Sequence, residues 1–99
     1  MIKKKSPEEI AILGEAGSHL ANMLKVLARE AQPGVSTLDL DDRAMELSEE
    51  LGVEPVLLGY HPGFADRPYP AAICTSVNDC VQHGIPSEEQ ILQEGDVIN

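Results

Sequence analysis

Tryptophan is absent from this chain, and one phenylalanine and two tyrosines are its only aromatic side chains. A core built from it must rest on leucine, isoleucine, valine and alanine. Basic residues are also scarce. Seven lysines and arginines face 17 aspartates and glutamates, for a formal charge of −10. Phosphate binding needs clustered Lys and Arg, so nucleic acid and anionic membrane partners are disfavoured. The one basic cluster, Lys3-Lys4-Lys5, reads as a solvated tail. Long apolar runs are missing too, so no window approaches a membrane span. Ser6-Pro7-Glu8-Glu9 follows the lysines where a signal peptide would place its apolar stretch. A cytoplasmic protein is the default reading. Two cysteines, Cys74 and Cys80, fit that reading. A bond between them across a turn is geometrically conceivable, and free thiols are preferred in a reducing cytosol.

Several chemical signatures are absent as well. There is no His-Glu-x-x-His, no Cys-x-x-Cys, no Gly-x-Ser-x-Gly and no phosphate loop. His61 and His83 are far apart, and no convergent carboxylates accompany them. A metal centre built from this chain alone is therefore not expected. The carboxylates from Asp39 to Glu54 read as a solvated helix face.

What is present is an ordinary globular composition, 42% hydrophobic. Ninety-nine residues make one domain or part of one. A chain of this size buries roughly 60–70% of its unfolded surface. Ser6 to Glu9 reads as a capping box with Pro7 at the first helical position. Ile10, Leu13, Gly17, Leu20, Leu24, Leu27 and Ala31 then recur every three or four residues, one face of a helix from about Pro7 to about Ala31. Such a stripe needs a large partner, and a sheet face is the natural one. Gly17 within it suggests close backbone approach. Gln32-Pro33-Gly34 ends the helix. Ser36 or Thr37 caps a second one, with Asp39, Asp41 and Asp42 in its first turn. Leu40, Ala44, Leu47 and Leu51 are its buried stripe, and Gly52 is its C-cap.

The rest reads as strands and turns. Val56-Leu57-Leu58 is a short strand, and His61 to Pro68 is a loop. Tyr69 to Pro86 is a β-hairpin turning near Asn78-Asp79. Pro86 cannot donate to a ladder, so the hairpin ends there and leaves His83 at a strand terminus. Gly84 supplies the unusual backbone angles of that corner. Val97-Ile98 opens a further strand. Helices followed by strands make an α+β fold.

Asn78, then His83-Gly84-Ile85-Pro86, then Glu94-Gly95-Asp96-Val97-Ile98-Asn99 resembles type I methionine aminopeptidase in order and spacing. Pro7-Glu8-Glu9-Ile10, the Gly17 helix, Pro33-Gly34-Val35-Ser36-Thr37 and Leu58-Gly59-Tyr60-His61 extend the resemblance over nearly the whole chain. It implies the N-terminal half of the pita-bread (creatinase/aminopeptidase) fold: two helices packed on an antiparallel sheet with a β-hairpin. Residues 1–99 are then a single partial domain. It also implies metal-dependent removal of the N-terminal methionine from nascent proteins near the ribosome.

In that family two divalent ions, Co, Mn, Fe or Zn, generate the hydroxide nucleophile. Their ligands are two aspartates, a histidine and two glutamates, and the resemblance places all of them beyond Asn99. The chain alone is thus expected to hold no metal and to be inactive. His83 is expected in the active site, hydrogen-bonding the substrate near the scissile amide. Without the resemblance it would read as a structural histidine. Tyr60, Tyr69 and Cys74 match positions lining the pocket for the methionine side chain, and His61 matches one at its rim. The stretch from Pro62 to Pro68 is longer than the family spacing, so Phe64 rivals Tyr69 for its position. Leu57 stands where some relatives have a pocket cysteine. Relatives can also bind a monovalent cation through backbone carbonyls beside Asn78. Two other readings stand beside this one. One is a non-catalytic module of the same fold that binds peptides or partners. The other is an unrelated small α+β domain.

Overall fold

Ser6 and Ser36 start the two helices of this chain by the same device. In a computed structural model describing residues 1–99, α1 spans Pro7–Glu30 and α2 spans Thr37–Leu51. At α1 the Ser6 amide donates to Glu9 Oε2 at 2.7 Å, and the Glu9 amide donates to Ser6 Oγ at 3.2 Å. At α2 the Ser36 amide donates to Asp39 Oδ2 at 2.8 Å, and the Asp39 amide donates to Ser36 Oγ at 3.0 Å. Each box satisfies two amides that have no partner within the helix. Ser36, rather than Thr37, is therefore the cap. Thr37 is fully buried and bonds residue 87 instead: its Oγ1 accepts from the Ser87 amide at 2.9 Å and donates to the Ser87 carbonyl at 3.2 Å. Ser36→Ala leaves the Asp39 amide without its partner. It is expected to cost about 1 kcal/mol, read as a lower midpoint in urea unfolding.

Gly52 ends α2 in the left-handed conformation, with φ 65°, as a C-cap glycine should. Of the three aspartates expected in the first turn of α2, only Asp39 lies there. Asp41 sits one residue beyond it and is buried.

The core is small. Only 14 of 99 residues are buried, and six of those are polar or charged. Leu40, Val77 and Leu92 form its centre, with Leu27, Ala31, Val35, Ile73 and Ile98 packed against them. Three bonds between the strand-like segments carry residues 90–92 past the start of α2: Gly34 donates to Leu92 at 2.8 Å, Leu92 to Val35 at 2.9 Å, and Thr37 to Gln90 at 3.0 Å. Arg43 joins the helices from outside, bonding Glu30 at 3.2 Å and Glu46 at 3.0 Å. Exposed pairs of this kind contribute little, typically under about 1 kcal/mol.

The apolar stripe of α1 is not covered by a sheet. No residue of α1 is buried, and Ile10, Leu13, Leu20 and Leu24 are each more than half exposed. Only its C-terminal end, Leu27 and Ala31, reaches the core. A Cβ on Gly17 would meet nothing within 4 Å, so no backbone approaches it.

The reason is that the expected strands do not assemble into ladders. Extended pairing consists of two isolated antiparallel bridges, Ser36 with Ile91 and Val77 with Ile98. Val56 to Leu58 lies in turns: Leu58 donates back to Pro55 at 3.2 Å and Tyr60 to Leu57 at 3.0 Å. Within the expected hairpin two backbone bonds cross, Cys80 to Val77 at 3.1 Å over the turn and Thr75 to Gly84 at 2.7 Å. Residues 76–78 pair instead with 97–99, Ser76 and Asn99 exchanging bonds of 2.8 and 2.9 Å. Asn78 (φ 53°) and His83 (φ 56°) are left-handed, and each turns the chain out of the extended conformation a ladder needs. The positive φ expected at Gly84 thus falls on the residue before it.

Candidate active-site wall

Two backbone bonds close the loop that begins this site. Gly59 donates to Tyr69 at 2.9 Å, and Tyr69 donates to Tyr60 at 2.7 Å. They bring Tyr60 and Tyr69 together at the base of the Pro62–Pro68 excursion. Across from them the chain turns at His83, and Gly84 lies against Thr75. Between these segments is a cavity of about 360 Å³. Tyr60, Tyr69, Cys74 and His83 all line it, with Leu57, Phe64, Arg67 and Ile85 among the other walls. That volume falls in the range of small-molecule sites.

His61 is not among the lining residues. Its Nε2 donates to the Ala65 carbonyl at 2.9 Å, which holds the imidazole to the loop. Phe64 and Tyr69, rivals for one position by spacing, both reach the cavity but differ in anchoring. Phe64 is almost fully exposed. The Tyr69 hydroxyl is shared between the carbonyls of Ile73 at 3.0 Å and Gly84 at 3.3 Å. Burial raises the Tyr69 phenol well above its ordinary value, and the Cys74 thiol and Asp41 carboxylate push the same way. It therefore stays a protonated donor at neutral pH.

His83 is exposed, and its Nδ1 lies 4.0 Å from Cys74 Sγ, a long contact for a thiol. It is held by its backbone position rather than by a side-chain clamp. Both cysteines are free. Cys80 is exposed, and its thiol lies 3.7 Å from the Gln82 carbonyl.

Sequence reading assigned Asp41 to a solvated acidic face. It is instead 7% exposed, and its Oδ1 accepts from the amides of Ala72 at 2.9 Å and Ile73 at 3.0 Å. The signal for this was available. Thr37, Asp41, Ala44 and Ser48 recur at helical spacing, and all four are buried. A carboxylate in line with alanine and two small hydroxyl residues belongs to the inward face.

Asn78 also does more than turn the chain. Its Nδ2 donates to Asp96 Oδ1 at 2.9 Å, and its Oδ1 accepts from the Val97 amide at 3.0 Å. Asp96 Oδ2 accepts from the Gln93 amide at 2.8 Å. The Asn78 amide, and then the Gln93 N–H, hold the Asp96 carboxyl below its ordinary value of 3.8. A depressed folded-state value means that folding favours the charged form. The contribution is present above the ordinary value and is lost as pH falls through the depressed one. Asp96→Asn is therefore expected to flatten the loss of stability between about pH 5 and pH 2, measured by urea unfolding at each pH.

The donors available for a metal do not close a coordination shell. No group of three or more His, Cys, Asp or Glu side chains converges anywhere in the chain. The cavity offers one thiol and one imidazole side by side, and a divalent ion needs about four ligands. No helix is long and apolar enough to cross a membrane.

Comparison with known proteins agrees with this architecture. The model of metallopeptidase family M24 matches residues 11–99. A methionine aminopeptidase of Aquifex aeolicus is 43% identical over 98 residues, covering 99% of this chain and 38% of the relative. Methionine aminopeptidase 1 of Mycobacterium tuberculosis is 38% identical over 99 residues, all of this chain and 35% of the relative. The crystal structure of a methionine aminopeptidase from Thermotoga maritima superimposes with a TM-score of 0.89 at 34% identity, over 99% of this chain and 37% of that one. The chain thus spans little more than a third of the length of the relatives it matches. A match over nine-tenths of its residues, with the same path through space, leaves one conclusion: this chain belongs to metallopeptidase family M24.

Proposed function

We propose that this chain forms the substrate-binding wall of a methionine aminopeptidase, which removes the initiating methionine from nascent proteins. The observation that carries the reading is the convergence of Tyr60, Tyr69, Cys74 and His83 on one largely apolar cavity. A thioether is polarizable and packs well on aromatic edges and sulfur, so tyrosines and a thiol suit a methionine side chain. His83, exposed at the edge of that cavity, is the group that meets the scissile amide. Its imidazole can donate to or accept from that amide as charge develops. His61 stands at the rim, on the loop that Tyr60 and Tyr69 close. The N-terminal peptides of proteins emerging from the ribosome are the substrates, in the cytoplasm.

Hydrolysis by this family requires divalent metal, and the side chains of residues 1–99 do not make a site for it. We therefore assign the chain binding and positioning and no bond cleavage of its own. The two isolated bridges, 36 with 91 and 77 with 98, are read as the seeds of the antiparallel sheet of the pita-bread fold, and the Thr75 to Gly84 bond as that of its hairpin.

The test is a chimera. Residues 1–99 replace the matching segment of the Aquifex aeolicus relative, and methionine release from Met-Ala-Ser is followed with Co²⁺ or Mn²⁺. Release by the chimera and none by residues 1–99 alone is the expected pair of results. A folded chimera that binds metal but releases no methionine would favour a peptide-binding module that has lost catalysis. Turnover by the 99 residues alone would overturn the assignment of roles.

A further inference from the structure

The segment leading to Cys74 and the hydroxyl of Tyr69, two of the cavity walls, are held by residues that do not line the cavity. Ala72 and Ile73, the two residues before Cys74, donate their amides to a single buried oxygen, Asp41 Oδ1. The Ile73 carbonyl then accepts from the Tyr69 hydroxyl, which also reaches the carbonyl of Gly84, next to His83. A charged acceptor makes these bonds stronger than neutral ones. Asp41 stands on α2, the better-buried helix. Neither amide bonds the backbone, so Asp41 Oδ1 is the hydrogen-bond partner of both.

We propose that Asp41 is a positioning residue for the binding pocket: by clamping the amides of Ala72 and Ile73 to α2, it fixes Cys74 and Tyr69 and so sets the cavity to the width of an unbranched side chain. This rests on the methionine-pocket reading. The carboxylate touches no substrate and acts only through the corner it holds. Releasing the corner lets Cys74 and the Tyr69 ring move apart, so a branched side chain such as leucine gains entry relative to methionine.

Two readouts on the 99-residue chain test this. The first is the alkylation rate of Cys74 by iodoacetamide relative to exposed Cys80, an internal reference. The second is the ratio of dissociation constants for methioninamide and leucinamide, from NMR shift titrations. Asp41→Ala is expected to raise the Cys74 to Cys80 rate ratio at least fivefold and to lower the preference for methioninamide at least threefold. Asp41→Asn, which keeps an acceptor oxygen without the charge, should move both ratios in the same direction by less, with the Cys74 to Cys80 ratio still at least twice the wild-type value. Ser48→Ala serves as the structural control. It removes a buried bond within α2, from Ser48 Oγ to the Ala44 carbonyl at 2.8 Å, and no hydrogen bond to the corner. It should move neither ratio.

Unchanged ratios in folded Asp41→Ala overturn the proposal, as do ratios that move equally in Ser48→Ala. If Asp41→Ala does not fold, Asp41→Asn decides: a Cys74 rate ratio at least twice that of the wild type supports the clamp, and an unchanged one removes it. If the wild-type chain prefers neither amide, the methionine pocket fails. The alkylation ratio still decides whether Asp41 holds the corner.

Discussion

Gly84→Ala is expected to prevent the 99-residue chain from folding cooperatively, a loss of about 3 kcal/mol or more. The residue is not needed for a positive φ, which is carried by His83. It is needed for space. A Cβ at position 84 would overlap the Thr75 carbonyl oxygen and lie 2.7 Å from its carbon and 2.9 Å from Ser76 Cα. All three atoms are backbone, so no side chain can swing aside. The same approach lets Thr75 donate to the Gly84 carbonyl at 2.7 Å and Gly84 donate to Ser76 Oγ at 3.1 Å. Relieving the overlap would break both bonds and move Val77, one of the three central core residues. With so small a core, little else could compensate. The measurement is urea unfolding by circular dichroism, with Gly95→Ala as the comparison. Gly95 has φ 87° but open space around its Cβ, so it should lose only about 1–2 kcal/mol of backbone strain. Equal losses at the two glycines would refute the steric account.

If His83 bonds the scissile amide as proposed, His83→Asn is expected to lower kcat/KM for Met-Ala-Ser in the chimera by about a hundredfold to a thousandfold, the usual loss on removing a hydrogen-bonding group aimed at developing charge. Asparagine is chosen because position 83 is left-handed, and asparagine tolerates that conformation better than alanine. A loss can then be assigned to the imidazole rather than to the backbone. The fall should appear mainly in kcat, because the apolar walls proposed to bind the methionine side chain remain. His61→Asn should change kcat less than tenfold, since that ring is tied to the Ala65 carbonyl and does not line the cavity. Equal losses at the two histidines, or a His83 loss confined to KM, would remove His83 from the chemistry.

Local order was readable from the chain because local order is decided locally. Ser6 and Glu9 make their capping box within one turn, and Gly52 ends α2 because the left-handed cap favours glycine. The gathering of Tyr60, Tyr69, Cys74 and His83 was legible only through family resemblance. Those residues are up to 23 positions apart (83 minus 60), and no spacing rule joins them. Strands were the least legible feature. Val56-Leu57-Leu58 has strand composition, yet a strand exists only if a second segment accepts its bonds, and here it lies in turns instead.

Asp41 marks the same divide at a single residue. Its neighbours in sequence are acidic and suggest water, whereas its neighbours in space are two amides without other backbone partners. The sequence alone determined the two helices, the Ser6 and Gly52 caps and the acidic balance, since each follows from contacts within a few residues or from composition; it left the N-cap of α2 open between Ser36 and Thr37. Tertiary structure alone decided that the left-handed turn falls on His83, that Gly84 is kept for its lack of a side chain, and that Asp41 faces inward. Each of those depends on which backbone arrives from a distant part of the chain, and a linear pattern carries no record of that approach.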